Sequence, residues 1–156
     1  MTMLEYMILP FKRYADFKGR SLRIEYWGFA LLNFIVFAVI LAISMALGLS
    51  FGAFQQLEQG GDPSALFGAG FFVLVGLAGL YSLAVFIPSI AVAVRRFHDR
   101  DMSGWWYLGF IVLGVIPLIG WIATIASFVI TCLPGTPGPN RFGMDPRDPT
   151  GAEVFA

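Results

Sequence analysis

Charged residues in this chain fall in short clusters separated by long runs that carry none. Three apolar blocks result, Tyr26–Phe54, Ser64–Val94 and Trp105–Leu133, and none contains Asp, Glu, Lys, Arg or His. Each exceeds the roughly 20 residues that cross a hydrocarbon core of ~30 Å. Lipid offers the backbone no hydrogen-bond partner, so the blocks must be helical. The first two blocks predict one membrane helix each. The third has 29 residues, a helix of about 43 Å, too long for one upright span and short for two. Pro117 and Gly120 divide it. It reads either as a helix hairpin or as a single kinked helix, and the hairpin is preferred. The predicted fold is all-α and polytopic, with three or four membrane helices over residues 21–143.

The first 20 residues form a separate pattern. Met3, Leu4, Met7, Ile8, Phe11, Tyr14 and Ala15 recur at helical spacing, with Lys12, Arg13 and Asp16 off that stripe. This predicts an amphipathic helix lying in the membrane interface, started or bent at Pro10. Gly19 breaks the pattern, Ser21 is placed to cap the first membrane helix, and Glu25 falls in its first turn, where the helix dipole favours negative charge. Tyr26, Trp27, Trp105, Trp106 and Trp121 fit aromatic anchors at the two interfaces. Residues 144–156 read as a loose tail.

Composition agrees with lipid as the solvent. Of 156 residues, 58% are hydrophobic and 13% charged, about half the charged fraction of a soluble domain. Formal net charge is zero, which argues against nucleic-acid binding. The first apolar stretch is longer than the ~7–15 residues of a signal-peptide core, so an uncleaved anchor is expected. Basic residues lie before the first block (Lys12, Arg13, Lys18, Arg20, Arg23) and between the second and third (Arg95, Arg96, Arg100), whereas the connection around Glu58 and Asp62 has none. The positive-inside rule then places the N-terminus and residues 95–104 in the cytoplasm. A hairpin would return the tail to that side; a single helix would not.

In the second block Ala65, Gly68, Ala69, Gly76 and Gly79 share one helical arc, a pattern that suits close helix packing, and Pro88 predicts a kink. Asn33, Ser44, Ser82, Ser89, Thr124 and Ser127 offer hydrogen bonds between helices. The absence of charge inside the blocks weighs against an ion-coupled transporter. Cys132 reads as a small buried thiol.

Three polar stretches remain: FKGRSLRIEYW (Phe17–Trp27), RRFHDRDMSGWW (Arg95–Trp106) and LPGTPGPNRFGMDP (Leu133–Pro146). In this order they resemble the bacterial membrane family called domain of unknown function 805, over roughly residues 11–146. The first carries Phe-x-Gly-Arg-x-x-Arg-x-Glu-Tyr-Trp at Phe17, Gly19, Arg20, Arg23, Glu25, Tyr26 and Trp27. The second carries Arg-Arg-x-His-Asp followed by Ser-Gly-Trp-Trp. It departs from the family at Asp101 and Met102, where a turn-former and a basic residue are frequent. The third carries Pro-Gly-Thr-x-Gly-x-Asn-Arg-Phe-Gly-x-Asp-Pro. The resemblance implies a small bacterial inner-membrane protein and no particular activity.

The cluster around His98, the chain's single histidine, raises the question of catalysis. A His-Asp pair can orient an imidazole as a base, but no nucleophile motif, phosphate loop or metal-ligand set accompanies it, so no cofactor or metal is expected. A plainer reading uses every residue: Arg95 and Arg96 end a helix near headgroups, His98 and Asp99 tie the turn, Asp101 or Ser103 caps the next helix. A sharper reading brings Arg20, Arg23, Glu25, Arg95, Arg96, His98, Asp99, Asn140 and Arg141 into one cytoplasmic polar network that locks the helices or holds an anionic headgroup. The expected function is thus a non-enzymatic membrane protein in contact with anionic lipids, with a protein partner or homo-oligomer also compatible. A small-solute transporter or channel component, and a headgroup enzyme using His98 and Asp99, are the alternatives.

Overall fold

The structure, a computed structural model, describes residues 1–46, 58–62 and 69–148. Five helices carry the described chain: α1 (Met3–Lys12), α2 (Arg23–Ala46), α3 (Ala69–His98), α4 (Trp105–Gly114) and α5 (Ile119–Cys132). The protein is an all-helical, polytopic membrane protein. At 24 and 30 residues, α2 and α3 are long and apolar, spanning about 36 and 45 Å, enough for a ~30 Å core. Their apolar side chains stay outward: Phe34, Leu80 and Leu83 are about 70% exposed, as lipid-facing residues should be. The ends of the first two apolar blocks, with Ala65 and Gly68 of the small-residue arc, lie outside the described residues, as does the tail from residue 149.

The chain divides into two compact units, Leu31–Phe86 and Met1–Ala30 with Ile87–Ala156. In the first, the Tyr81 hydroxyl donates to Asn33 Oδ1 at 2.9 Å and the Tyr81 ring meets Phe37 edge-on. The Ser44 hydroxyl bonds its own helix at the Ile40 carbonyl, 2.8 Å away, rather than a neighbouring helix. Gly76 and Gly79 face open space.

The second unit holds all three polar motifs. α1 starts on a capping box: the Thr2 N–H donates to Glu5 and the Glu5 N–H to the Thr2 hydroxyl. It ends at Lys12, so Tyr14 and Ala15 lie beyond the helix that the hydrophobic stripe predicts. Pro10 sits inside the helix and is buried, neither starting nor ending it. Met7 is buried beside Gly28, and Phe11 meets Phe29 edge-on, leaving Met3, Leu4 and Ile8 exposed. α3 runs on through Pro88, and every residue from Ala91 to Phe97 is buried.

α3 stops in a Schellman turn. Met102 N–H donates to the Phe97 carbonyl and Asp101 N–H to that of His98, with Asp101 left-handed at φ 58°. The Ser103 hydroxyl then accepts from the Trp105 N–H at 3.4 Å.

The third apolar block is a hairpin. α4 and α5 are antiparallel, joined through Pro117 and Leu118, with Leu118 left-handed at φ 67°. The two helices close tightly near the tip, where a side chain on Gly120 would strike the Gly114 backbone. With 10 and 14 residues they reach about 15 and 21 Å.

Candidate functional site: an arginine collar

The loop before α2, the end of α3 and the segment after α5 meet around three guanidinium groups that water barely reaches. Arg20 is 6% exposed, Arg95 and Arg96 0%. Two buried carboxylates answer them. Arg95 Nη2 lies 2.8 Å from Glu25 Oε1. Asp99 accepts from Arg20 Nε at 2.9 Å and, through its other oxygen, from Arg96 Nη1.

Most of the remaining guanidinium donors go to backbone carbonyls, largely of one segment, while among the described residues the buried Nε atoms of Arg95 and Arg100 have no partner. Arg96 donates to Thr131 and Leu133, Arg23 to Cys132 at 3.4 Å, and Arg100 to Pro134 at 2.7 Å. Arg147 donates to Gly135 and Thr136, and Arg20 to Thr136 and Gly138. Every carbonyl from Thr131 to Thr136 therefore accepts from an arginine. The first of these sit at the end of α5, where a helix leaves its last carbonyls without internal partners and where its dipole favours cations. Planar guanidiniums with five donors suit the task. Gly135 lies so close to the Asp99 carboxylate that any side chain there would overlap it.

His98 ties the motifs by other means. Its Nδ1 is 3.1 Å from the Gly19 carbonyl, which a left-handed Gly19 (φ 78°) turns inward. Its ring stacks on Phe142 at 3.9 Å and 4°. Asn140 Nδ2 donates to the His98 carbonyl at 2.9 Å. Arg141 is the peripheral member: it is well exposed, pairs with Asp101 at 3.2 Å and lies over the Phe142 ring.

The geometry departs from several sequence expectations. Arg95 and Arg96 do lie in the last turn of α3, but they are buried rather than set beside headgroups, because Glu25 and Asp99 are folded onto them. Ser21, expected to cap α2, is fully buried; its N–H donates to the Arg95 carbonyl and its hydroxyl faces the Leu22 carbonyl at 3.4 Å. Cys132, expected buried, is exposed, since an apolar run facing lipid does not imply a covered side chain. His98 and Asp99, neighbours in sequence, bond different partners. Arg23 is exposed and donates to the Cys132 carbonyl. Of the anchors, Tyr26 is partly covered, Trp27 meets Phe128 edge-on at 5.4 Å, Trp105 and Trp106 are exposed, and Trp121 is 76% exposed near the hairpin tip.

Asp145 and Arg147 enter the site from the stretch read as a tail. Asp145 is 8% exposed. It accepts from the Gly138 N–H at 3.1 Å and holds Arg147 at 2.8 Å. Arg147's hydrogen bonds, with those from the Arg147 and Gly138 N–H groups, outweigh desolvation and bring the Asp145 pKa down to about 2. The signal for Asp145 was present in the Asp-Pro that ends the third motif. Arg100 and Thr136 were likewise passed over, because a carbonyl acceptor leaves no trace in sequence.

Comparison with known proteins gives the same three-motif unit. The pattern of the family described as "Protein of unknown function (DUF805)" matches residues 14–144. "Inner membrane protein YhaI" of Escherichia coli (strain K12) is 38% identical over 144 residues, covering 92% of this chain and 97% of that protein. "Inner membrane protein YhaH" of the same organism is also 38% identical over 144 residues, with 92% and 98% covered. No solved structure matches. With the family pattern matching residues 14–144, and relatives covered almost from end to end, the chain belongs to the DUF805 family.

Proposed function

We propose that this chain is a non-enzymatic inner-membrane protein whose cytoplasmic arginine collar holds a short helix hairpin in the bilayer and offers its outer cations to anionic lipid. The observation that carries this reading is the set of arginines on the carbonyls of residues 131–136. Buried guanidiniums with most of their donors on carboxylates and carbonyls are poor ligands for a further anion. The exposed cations are better placed for headgroups: Lys12, Lys18, Arg23 and Arg141, at roughly 1 kcal/mol each near an anionic surface.

Sidedness follows from charge. The collar carries the basic clusters, which the positive-inside rule assigns to the cytoplasm, together with both ends of the hairpin. Helices of about 15 and 21 Å fall short of a ~30 Å core, so the hairpin is re-entrant: it enters and leaves on the cytoplasmic side. The names of the E. coli relatives support the inner membrane as the location. A headgroup enzyme through His98 and Asp99 has less support, because Asp99 is shared by Arg20 and Arg96 while His98 Nδ1 lies on Gly19.

Native mass spectrometry from mild detergent tests the lipid contact. Phosphatidylglycerol adducts should exceed phosphatidylethanolamine adducts, and Lys12→Gln with Lys18→Gln should remove most of that excess. Equal retention of both lipids by the unaltered protein would refute the headgroup role.

A further inference from the structure

Beyond the collar, α4 and α5 part from one another. They touch at Gly114 and Gly120 near the tip and leave a cleft of about 310 Å³ toward their other ends, closed on one side by Tyr26 of α2. Its walls are aromatic: Tyr26, Tyr107, Phe110 and Phe128. Hydroxyl groups of Tyr107, Thr124 and Ser127 line it, and none of these three hydroxyls has a hydrogen-bond partner among the described residues. Among the described residues no charged side chain lines the cleft.

We infer that this cleft binds the carbonyl-bearing ring of a membrane-soluble quinone. Three features select that chemistry. Hydroxyl donors without acceptors, in an apolar setting, favour a ligand that brings acceptor oxygens. Aromatic walls favour a planar ring in stacked or edge-on contact. The volume is at the low end for ligand sites, room for one ring with its tail leaving sideways. Entry is lateral, past Ile111 and Phe128, which line the cleft and remain exposed. The absence of charge excludes a phosphate-bearing group at this depth, which separates the cleft from the headgroup contacts proposed above. The inference uses the hairpin's place within lipid and does not depend on which side the collar faces.

Photolabelling of the full chain in detergent, with a short-tailed benzoquinone carrying a ring azide, tests it. Adducts should concentrate on the peptides holding Phe110 and Phe128, saturate with probe, and be displaced by unlabelled quinone but not by diacylglycerol. Tyr107→Phe combined with Ser127→Ala removes two donors and should weaken labelling at least about fivefold, the equivalent of roughly 1 kcal/mol of hydrogen bonding. The thermal midpoint of that variant serves as the folding control, and the competition arm with unaltered protein stands if the variant does not fold. Unsaturable labelling spread over the outer faces of all helices would overturn the inference. So would equal displacement by diacylglycerol, which would assign the cleft to a glycerolipid ester.

Discussion

Taking an arginine out of water costs several kcal/mol unless its partners are well placed, and this chain buries three side by side. The cost is offset by geometry: Asp99 bridges Arg20 and Arg96, Glu25 faces Arg95, and carbonyls take most of the other donors. Removing one carboxylate leaves a buried charge without its counter-ion. Glu25→Gln should therefore destabilise the protein by about 3–5 kcal/mol, read as a lowered midpoint in detergent denaturation. Lys18→Gln, on an exposed side chain, should stay within about 0.5 kcal/mol. Asp145 supplies a pH dependence. Its folded pKa of about 2 lies below the ordinary 3.8, so its contribution is complete well above pH 4 and is lost as pH falls toward 2. Hydrogen exchange of the 134–147 peptide, corrected for intrinsic rates, should accelerate across that window and stay flat above it.

At the scale of elements, the apolar blocks announced α2 and α3 because lipid leaves helix as the only backbone solution. The hairpin was legible in Pro117 and Gly120 and was preferred to a single kinked helix. What decided the matter is contact between backbones: Gly120 against Gly114, with Leu118 turned left-handed at the tip. Gly120→Ala should force the helices apart at a cost of about 1–3 kcal/mol, measured as a lowered thermal midpoint with helical content retained. The convergence of Arg20, Glu25, Arg96 and Asp99 was also foreseeable, since polar residues flanking apolar blocks have few partners except each other. The acceptors along residues 131–136 were not foreseeable. Backbone carbonyls have no residue signature, so arginines that read as headgroup ligands turned out to be tied to the chain itself. Asp145 was missed for a related reason, lying in a Pro- and Gly-rich stretch where composition suggests looseness.

At the largest scale, within the unit of residues 1–30 and 87–156, the start of α2, the end of α3 and the short hairpin are organised by one polar cluster at a single end of the hairpin. Both ends of the hairpin enter that cluster, through the Schellman turn at Asp101 and through the arginine-held carbonyls after α5. A hairpin secured in this way need not reach the opposite interface, and its 10- and 14-residue arms do not provide the length to do so. This explains how Leu118 and Trp121, about 80% exposed near the tip, coexist with a polar collar that water hardly enters. The positions of the hairpin tip and of the two sides of the collar relative to the membrane are therefore decisive. Cysteines placed one at a time at Lys18, Leu118 and Pro137, with Cys132→Ser as background, can be tested with membrane-impermeant maleimide on cells and on inverted vesicles. Positions 18 and 137 should be labelled from the cytoplasmic side alone and position 118 from neither side. Labelling of 118 from outside the cell, or of 137 on the face opposite 18, would contradict this arrangement.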